Sequence, residues 1–155
     1  MPIDVGSRAP DFTLMNQDRQ PVTLSAVLRN GPVVLAFLPG AFSSVCTTEM
    51  CTFRDSIGTL DASKAQVLGV TTDTFFTLKA WADQQRFTFP LLSDYNKDVI
   101  QQYDVVNPDM IGLKNIAKRA VFVIARDGTI KHQQVLDDAR NEPNYEKIRA
   151  ALIGA

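Results

Sequence analysis

Residues 38–55 read LPGAFSSVCTTEMCTFRD; they contain both cysteines of the chain and decide its fold. The preceding run 33–37, VVLAF, is short, apolar and rich in β-branched residues, and Pro39-Gly40 punctuates it, as is typical of a buried strand. After this turn the apolar residues recur at helical spacing: Met50, Phe53, Ile57 and Leu60. The stretch therefore predicts a strand, a loop and a helix in succession.

Cys46 lies in the first turn of this predicted helix. We expect Ser43 or Ser44 to cap the helix and Glu49 to place a negative charge near its positive end. Thiolates are favoured at helix N-termini, and open α/β sheets bind ligands at the carboxyl ends of their strands. Cys46 is therefore a candidate reactive thiol that a small oxidant can reach. The alternative is a buried cysteine that acts as a small apolar residue.

Cys51 follows Cys46 by five positions. In a continuous helix their Cα atoms would be about 8 to 9 Å apart and their side chains roughly 140° apart around the axis, which is too far for a disulfide. The spacing therefore leaves two possibilities: Cys46 and Cys51 are unrelated thiols, or they form a disulfide only when the helix between them unwinds locally. It is not the C-x-x-C spacing of thioredoxin-type exchange.

The motif Pro39-x-x-x-Ser43-x-x-Cys46 resembles the active-site signature of the peroxiredoxins. The position of Cys51 is similar to that of the second cysteine in the Q-type branch, the bacterioferritin-comigratory proteins. Ser43 stands where threonine is commoner, which leaves Q-type and E-type membership both open. The resemblance covers nearly the whole chain through three further segments: 9–14 (APDFTL), 89–94 (FPLLSD) and 119–124 (RAVFVI).

The resemblance implies a role for each matched residue. Cys46 would be the peroxidatic thiol, which attacks a hydroperoxide and becomes a sulfenic acid, and Arg119 would be the active-site arginine. Ser43 would hydrogen-bond the peroxide oxygens, Pro39 would cover the thiol and Glu49 would orient the hydrogen bonds of the site. Each role has a simpler alternative. Ser43 would be an ordinary helix cap and Pro39 the end of a strand. Glu49 would be an acid near a helix start, and Arg119 a charge at the surface.

The residues around the motif are candidates for contact with the substrate, a hydroperoxide. We assign Phe42, Ser43 and Val45 to this role. Phe42 would present an apolar wall to the substituent of an organic hydroperoxide. The size of the substrate does not follow from Phe42; the family resemblance implies that hydrogen peroxide and organic hydroperoxides are both reduced.

The resemblance also implies how the oxidised thiol is recycled. Cys51 would attack the sulfenic acid of Cys46 once the start of the helix unwinds, and an external dithiol such as thioredoxin would reduce the resulting intramolecular disulfide. Three alternatives stay open. One is a one-cysteine cycle in which Cys51 is only a packing residue. Another is a peroxide sensor without turnover, and the last is an inert thioredoxin-like module, such as a holdase, with buried thiols.

Composition narrows the class of protein. The 155 residues suit a single domain spanning 1–155, and 16 Lys plus Arg against 17 Asp plus Glu argue against a nucleic-acid surface or a polybasic membrane patch. With no signal peptide or membrane span in the sequence, we expect a cytoplasmic protein, where thiols are kept reduced. Two cysteines and the lone His132 do not complete a usual metal site, so we expect no metal or other cofactor. Whether the chain is a monomer or a homodimer is left open.

Periodicity and turn signals predict the remaining elements. In the first half of the chain they are a hairpin over 12–15 and 22–24, a helical turn at 25–28, a strand over 66–71 and a helix over 74–85 with Trp81 in the core. A short helix over 98–103 and a turn-rich segment over 105–117 follow. The chain then forms antiparallel strands over 120–124 and 129–135, a solvated loop over 137–143 and a closing helix with Tyr145, Ile148 and Leu152 on one face. This order predicts an α/β fold with a mixed central sheet flanked by helices and an N-terminal β-hairpin. It fits the thioredoxin-like fold that the family resemblance implies.

Overall fold

The computed structural model describes residues 3–60 and 64–155, without the side chains of residues 57–60. The predicted apolar positions Ile57 and Leu60 therefore lie outside the described side chains. The elements in chain order are β1 (Thr13–Asn16), β2 (Pro21–Thr23), α1 (Leu24–Val27), β3 (Val33–Phe37), α2 (Ser44–Leu60), β4 (Gln66–Thr71), α3 (Phe75–Gln85), β5 (Leu91–Ser93), α4 (Asp98–Gln102), β6 (Val106–Met110), β7 (Leu113–Ala117), β8 (Arg119–Ile124), β9 (Ile130–Leu136) and α5 (Tyr145–Leu152).

The described strands form a seven-stranded sheet in the order β2-β1-β5-β4-β3-β8-β9 and a separate pair, β6-β7. At the centre, β3 runs parallel to β4, with Val33 opposite Gln66, and antiparallel to β8, with Phe37 opposite Ala120. The β1-β2 hairpin joins the sheet through β5. The predicted α/β class, the mixed sheet and the N-terminal hairpin are confirmed.

The sheet separates two apolar cores. Because successive side chains of a strand point to opposite faces, β3 supplies Val34 and Ala36 to one core and its alternate residues to the other. All five residues of β3 are buried, as expected for a central strand with both faces covered. Trp81 is fully buried in the core that also holds Met50 from α2 and Ile148 from α5. The prediction that Trp81 is a core residue is therefore confirmed.

Local sequence signals predict most of the element boundaries that the structure has. The strands predicted over 33–37 and 66–71 match β3 and β4, and Thr74 caps α3 by accepting a hydrogen bond from the Thr77 amide. The three-residue strand β5 was not predicted from periodicity because it is too short to show a pattern. The segment 105–117 is an antiparallel hairpin, which the prediction of a turn-rich segment did not specify.

Two kinds of feature are missing from the part of the chain that the structure describes. No described helix combines the length and apolarity that a membrane span requires. Nor do three or more His, Cys, Asp or Glu side chains among the described residues come together in a way that could hold a metal ion.

Candidate active site

The sheet register brings the predicted site residues together. Strand β3 ends at Phe37, and the following loop leads to α2, which begins at Ser44. Because β8 is antiparallel to β3, its first residue, Arg119, lies beside the end of β3 and beside this loop. Arg119 and Cys46 thus meet although 73 positions separate them in the sequence.

Arg119 is fixed by three hydrogen bonds from its guanidinium group. Its Nη2 donates to the sulfur of Cys46 at 3.2 Å, its Nη1 to Oε1 of Glu49 at 3.1 Å and its Nε to the backbone carbonyl of Ala139 at 2.9 Å. The residue is only 2% exposed, so it is not the surface charge of the simpler alternative. A permanent cation is thereby held against the thiol.

Glu49 does not act as a charge at the helix start. The first turn of α2 contains no acidic residue, because Glu49 lies in the second turn, so that expectation was wrong. Glu49 is instead fully buried against Arg119, and its Oε2 atom has no hydrogen-bond partner among the described residues. Burial raises the pKa of Glu49 to about 7, Arg119 opposes this rise and Glu142 adds to it.

Cys46 is a free thiol without solvent exposure. A cavity of about 800 Å³ lies beside it, and this active-site cavity is lined on the near side by Pro39, Ser43, Val45 and Arg119. Because Arg119 both lines the cavity and donates a hydrogen bond to the sulfur, only this one residue needs to be crossed between the cavity and Cys46. The sulfur is therefore more shielded than we expected from its position at a helix start.

The far side of the active-site cavity is built from two segments that sequence reasoning did not assign to the site. The β6-β7 hairpin contributes four lining residues, and the loop after β9 contributes Asp137, Asp138, Ala139 and Arg140. The prediction that 137–143 is simply a solvated loop was wrong, because the Ala139 carbonyl holds Arg119. No local sequence signal marks this loop; it reaches the site because Leu136, at the end of β9, is paired with Arg119.

The substrate-contact candidates separate into two groups. Ser43 and Val45 line the active-site cavity, but Phe42 is not among its described lining residues. Phe42 is 46% exposed, and the centroid of its ring lies 6.2 Å from that of the Trp81 ring. The Ala41 amide donates to a carboxylate oxygen of Asp73 at 2.7 Å, which anchors the loop that carries these residues.

At the start of α2, the Ser43 carbonyl accepts a hydrogen bond from the Thr47 amide at 2.9 Å. This bond places Ser43 immediately before the helix, where a capping residue stands. Cys46 is therefore in the first turn of α2, as predicted.

Cys51 faces a different part of the molecule from Cys46. Its thiol is half-buried and donates to the side-chain oxygen of Gln85, at the end of α3, at 3.5 Å. Both cysteines are free, and α2 runs without interruption through both positions. This arrangement agrees with the expectation that the two thiols of an intact helix cannot form a disulfide.

Comparison with solved structures identifies the fold. The crystal structure of peroxidoxin BcpB from Mycobacterium tuberculosis matches with a TM-score of 0.89 and 32% sequence identity, covering 98% of this chain and 97% of that one. A PrxQ mutant from Xylella fastidiosa matches with a TM-score of 0.86 at 23% identity, covering 99% of this chain and 98% of that one, which is a likeness of fold alone. The predicted thioredoxin-like fold is confirmed.

Sequence comparison identifies the family. The model of the AhpC/TSA family matches residues 5–133. The chain is 37% identical over 154 residues to alkyl hydroperoxide reductase E of Mycobacterium tuberculosis, covering 97% of this chain and 98% of that protein. It is 35% identical over 145 residues to a chloroplastic 2-cysteine peroxiredoxin of Chattonella marina, covering 87% of this chain and 72% of that protein. The chain therefore belongs to the AhpC/TSA family and is a peroxiredoxin-type peroxidase.

Proposed function

We propose that this chain reduces hydrogen peroxide and organic hydroperoxides with Cys46 as the peroxidatic residue. The observation that carries the proposal is the 3.2 Å contact between the buried guanidinium of Arg119 and the sulfur of Cys46. A fixed positive charge stabilises a thiolate, which is the nucleophilic form of cysteine. The name of the 37% identical relative, alkyl hydroperoxide reductase E, supports organic hydroperoxides as substrates.

In the proposed first step, the thiolate sulfur attacks the terminal oxygen of the hydroperoxide. A sulfur–oxygen bond forms as the O–O bond breaks, and the leaving alkoxide or hydroxide takes a proton from water. Cys46 becomes a sulfenic acid and the hydroperoxide is reduced by two electrons to an alcohol or water. The Ser43 hydroxyl would hydrogen-bond the peroxide, and Pro39 and Val45 would exclude water from one side of it.

In the proposed second step, Cys51 resolves the sulfenic acid. The Cys51 thiol releases its proton and the thiolate attacks the Cys46 sulfur, so that a sulfur–sulfur bond forms as the sulfur–oxygen bond breaks; the leaving hydroxide takes up the released proton and departs as water. Because Cys51 is bonded to Gln85 and α2 is continuous, this step requires the contact with Gln85 to break and part of α2 to unwind. A dithiol protein such as thioredoxin would then reduce the disulfide. We propose the cytoplasm as the compartment, since it keeps such reductants available.

Steady-state turnover with a thioredoxin system tests both steps. We expect the wild-type protein to consume many equivalents of hydrogen peroxide, Cys46→Ser to consume none, and Cys51→Ser to complete the first oxidation at the wild-type rate but recycle slowly. Mass spectrometry of the oxidised wild-type protein should find Cys46 linked to Cys51 within one chain.

Other outcomes of the same experiment identify the alternatives. Full recycling of Cys51→Ser would indicate a one-cysteine cycle, which the separation of the two thiols in the intact helix favours. Oxidation of one equivalent without recycling would indicate a peroxide sensor. A wild-type protein whose Cys46 does not react at all would overturn the proposal and indicate an inert module, in keeping with the burial of that thiol.

A further inference from the structure

The turn of the β6-β7 hairpin holds an isoleucine in an unfavourable conformation. Ile111 and Gly112 form its two-residue loop with φ angles of 48° and 90°, as in a type I′ turn. The first position of such a turn favours Asn, Asp or Gly, and a β-branched side chain in this region is a backbone outlier. The Ile111 side chain is also 92% exposed, so burial in the protein core does not compensate for the strain.

The strained residue belongs to the lining of the active-site cavity. Ile111 and its neighbour Met110 line this cavity together with Val45 and Arg119, which belong to its near side. The turn is fixed there because a carboxylate oxygen of Asp109 accepts the Gly112 amide at 2.9 Å. Backbone strain that the surrounding structure maintains is concentrated at ligand sites in proteins.

Four of the five charged residues that line the active-site cavity are paired within the protein, and Asp137 is the fifth. Asp109 bonds to Lys114 at 2.6 Å, Asp138 to Arg140 at 2.8 Å and Arg119 to Glu49 at 3.1 Å. The apolar part of the lining consists of Pro39, Val45, Met110, Ile111 and Ala139, and a bound molecule can pack against it. The lining therefore suits an uncharged organic substituent better than an ionic head group.

We infer that Ile111 is a specificity-determining residue, which packs against the substituent of an uncharged alkyl or aryl hydroperoxide while Cys46 attacks its terminal oxygen. The inference rests on the proposed function. When the O–O bond breaks, the substituent departs with the alcohol, so contact with Ile111 lasts through the reaction. Hydrogen peroxide has no substituent and cannot make this contact.

The variant Ile111→Asn separates this role from a structural one. Asparagine removes the apolar side chain but suits a positive φ, so the midpoint of thermal unfolding should rise by about 2 to 4 °C. The ratio of kcat/KM for cumene hydroperoxide to kcat/KM for hydrogen peroxide should fall about five- to tenfold. Ile111→Leu, which keeps an apolar side chain, should hold this ratio within about twofold of the wild-type value.

The control is Ile153→Asn, the same substitution at an isoleucine that is 83% exposed at the end of α5. It should leave the ratio unchanged. An unchanged ratio in Ile111→Asn, or an equal loss in Ile111→Leu, would overturn the inference while turnover by the wild-type protein upheld the proposed function. A wild-type protein that consumed neither peroxide would overturn both.

Discussion

The pH dependence of folding stability tests the buried pair of Arg119 and Glu49, and Glu49→Gln is the perturbation. Burial raises the pKa of Glu49 from 4.5 to about 7 in the folded protein. Between these two values the folded protein binds more protons at this group than the unfolded protein does, so the free energy of unfolding falls as the pH rises. Proton binding by Glu49 therefore stabilises the folded protein fully below about pH 4.5, and this stabilisation is lost once the pH has passed about 7.

The magnitude follows from the size of the pKa change. Each pKa unit corresponds to about 1.4 kcal/mol, so a rise from 4.5 to about 7 lowers the free energy of unfolding by about 3 kcal/mol across this pH range. Glu49→Gln keeps an oxygen that can accept the Arg119 hydrogen bond but cannot ionise. The variant should therefore lack this slope.

Urea denaturation between pH 4.5 and pH 8 measures the effect, with Cys46→Ser as the common background so that this thiol cannot be oxidised during the experiment. The free energy of unfolding of Glu49→Gln minus that of its parent should increase by about 3 kcal/mol up to about pH 7 and then stay level. His132, whose pKa burial lowers, titrates in both proteins and cancels in the difference.

The matched control is Glu146→Gln, whose side chain is 88% exposed in its ion pair with Arg149. Exposed ion pairs contribute little, so the corresponding difference should stay within about 1 kcal/mol and show no such slope. If the difference in the free energy of unfolding between Glu49→Gln and its parent stayed constant or decreased as the pH rose, burial would not control the ionisation of Glu49.

Two further variants test the packing around the site by urea denaturation. Thr47→Val removes the hydroxyl that accepts from the Trp81 indole at 3.2 Å, and the unpaired buried donor should lower the free energy of unfolding by about 1 to 3 kcal/mol. Gly69→Ala places a Cβ atom 2.9 Å from Cδ2 of Leu91, and this overpacking should cost about 1 to 3 kcal/mol. Gly40→Ala, which meets nothing within 4 Å, should cost much less. Equal losses at the two glycines would contradict the packing argument.

The strand, loop and helix around Cys46 could be predicted because their signals are local. The change from an apolar run to helical spacing on either side of Pro39-Gly40 predicts a strand over 33–37 and a helix capped by Ser43 or Ser44, and the structure has β3 at 33–37 and α2 from Ser44. The position of Cys46 in the first helical turn follows from those two boundaries. The helical spacing also separated Cys51 from Cys46, and the structure gives the two thiols different neighbours.

The partner of the thiol could not be predicted from local signals. The chain has 16 Lys plus Arg, and neither spacing nor composition distinguishes Arg119 from the others; only the family resemblance did. Its contact with Cys46 depends on the pairing of β8 with β3, and its contact with Ala139 depends on the course of the chain after β9. Both are long-range properties, which periodicity and turn signals do not encode.

Three positions where local rules fail lie in or next to the segments that build the candidate site. Glu49 is a buried acid with one oxygen unpaired, Phe42 has a φ angle of 67° just before Ser43, and Ile111 has a φ angle of 48° at the tip of a hairpin. Each is unfavourable for stability alone, and a sequence selected only for folding would avoid them. Glu49 contacts Arg119 and Ile111 lines the active-site cavity, so these two features belong to the candidate site, in keeping with the tendency of natural proteins to break such rules at functional sites.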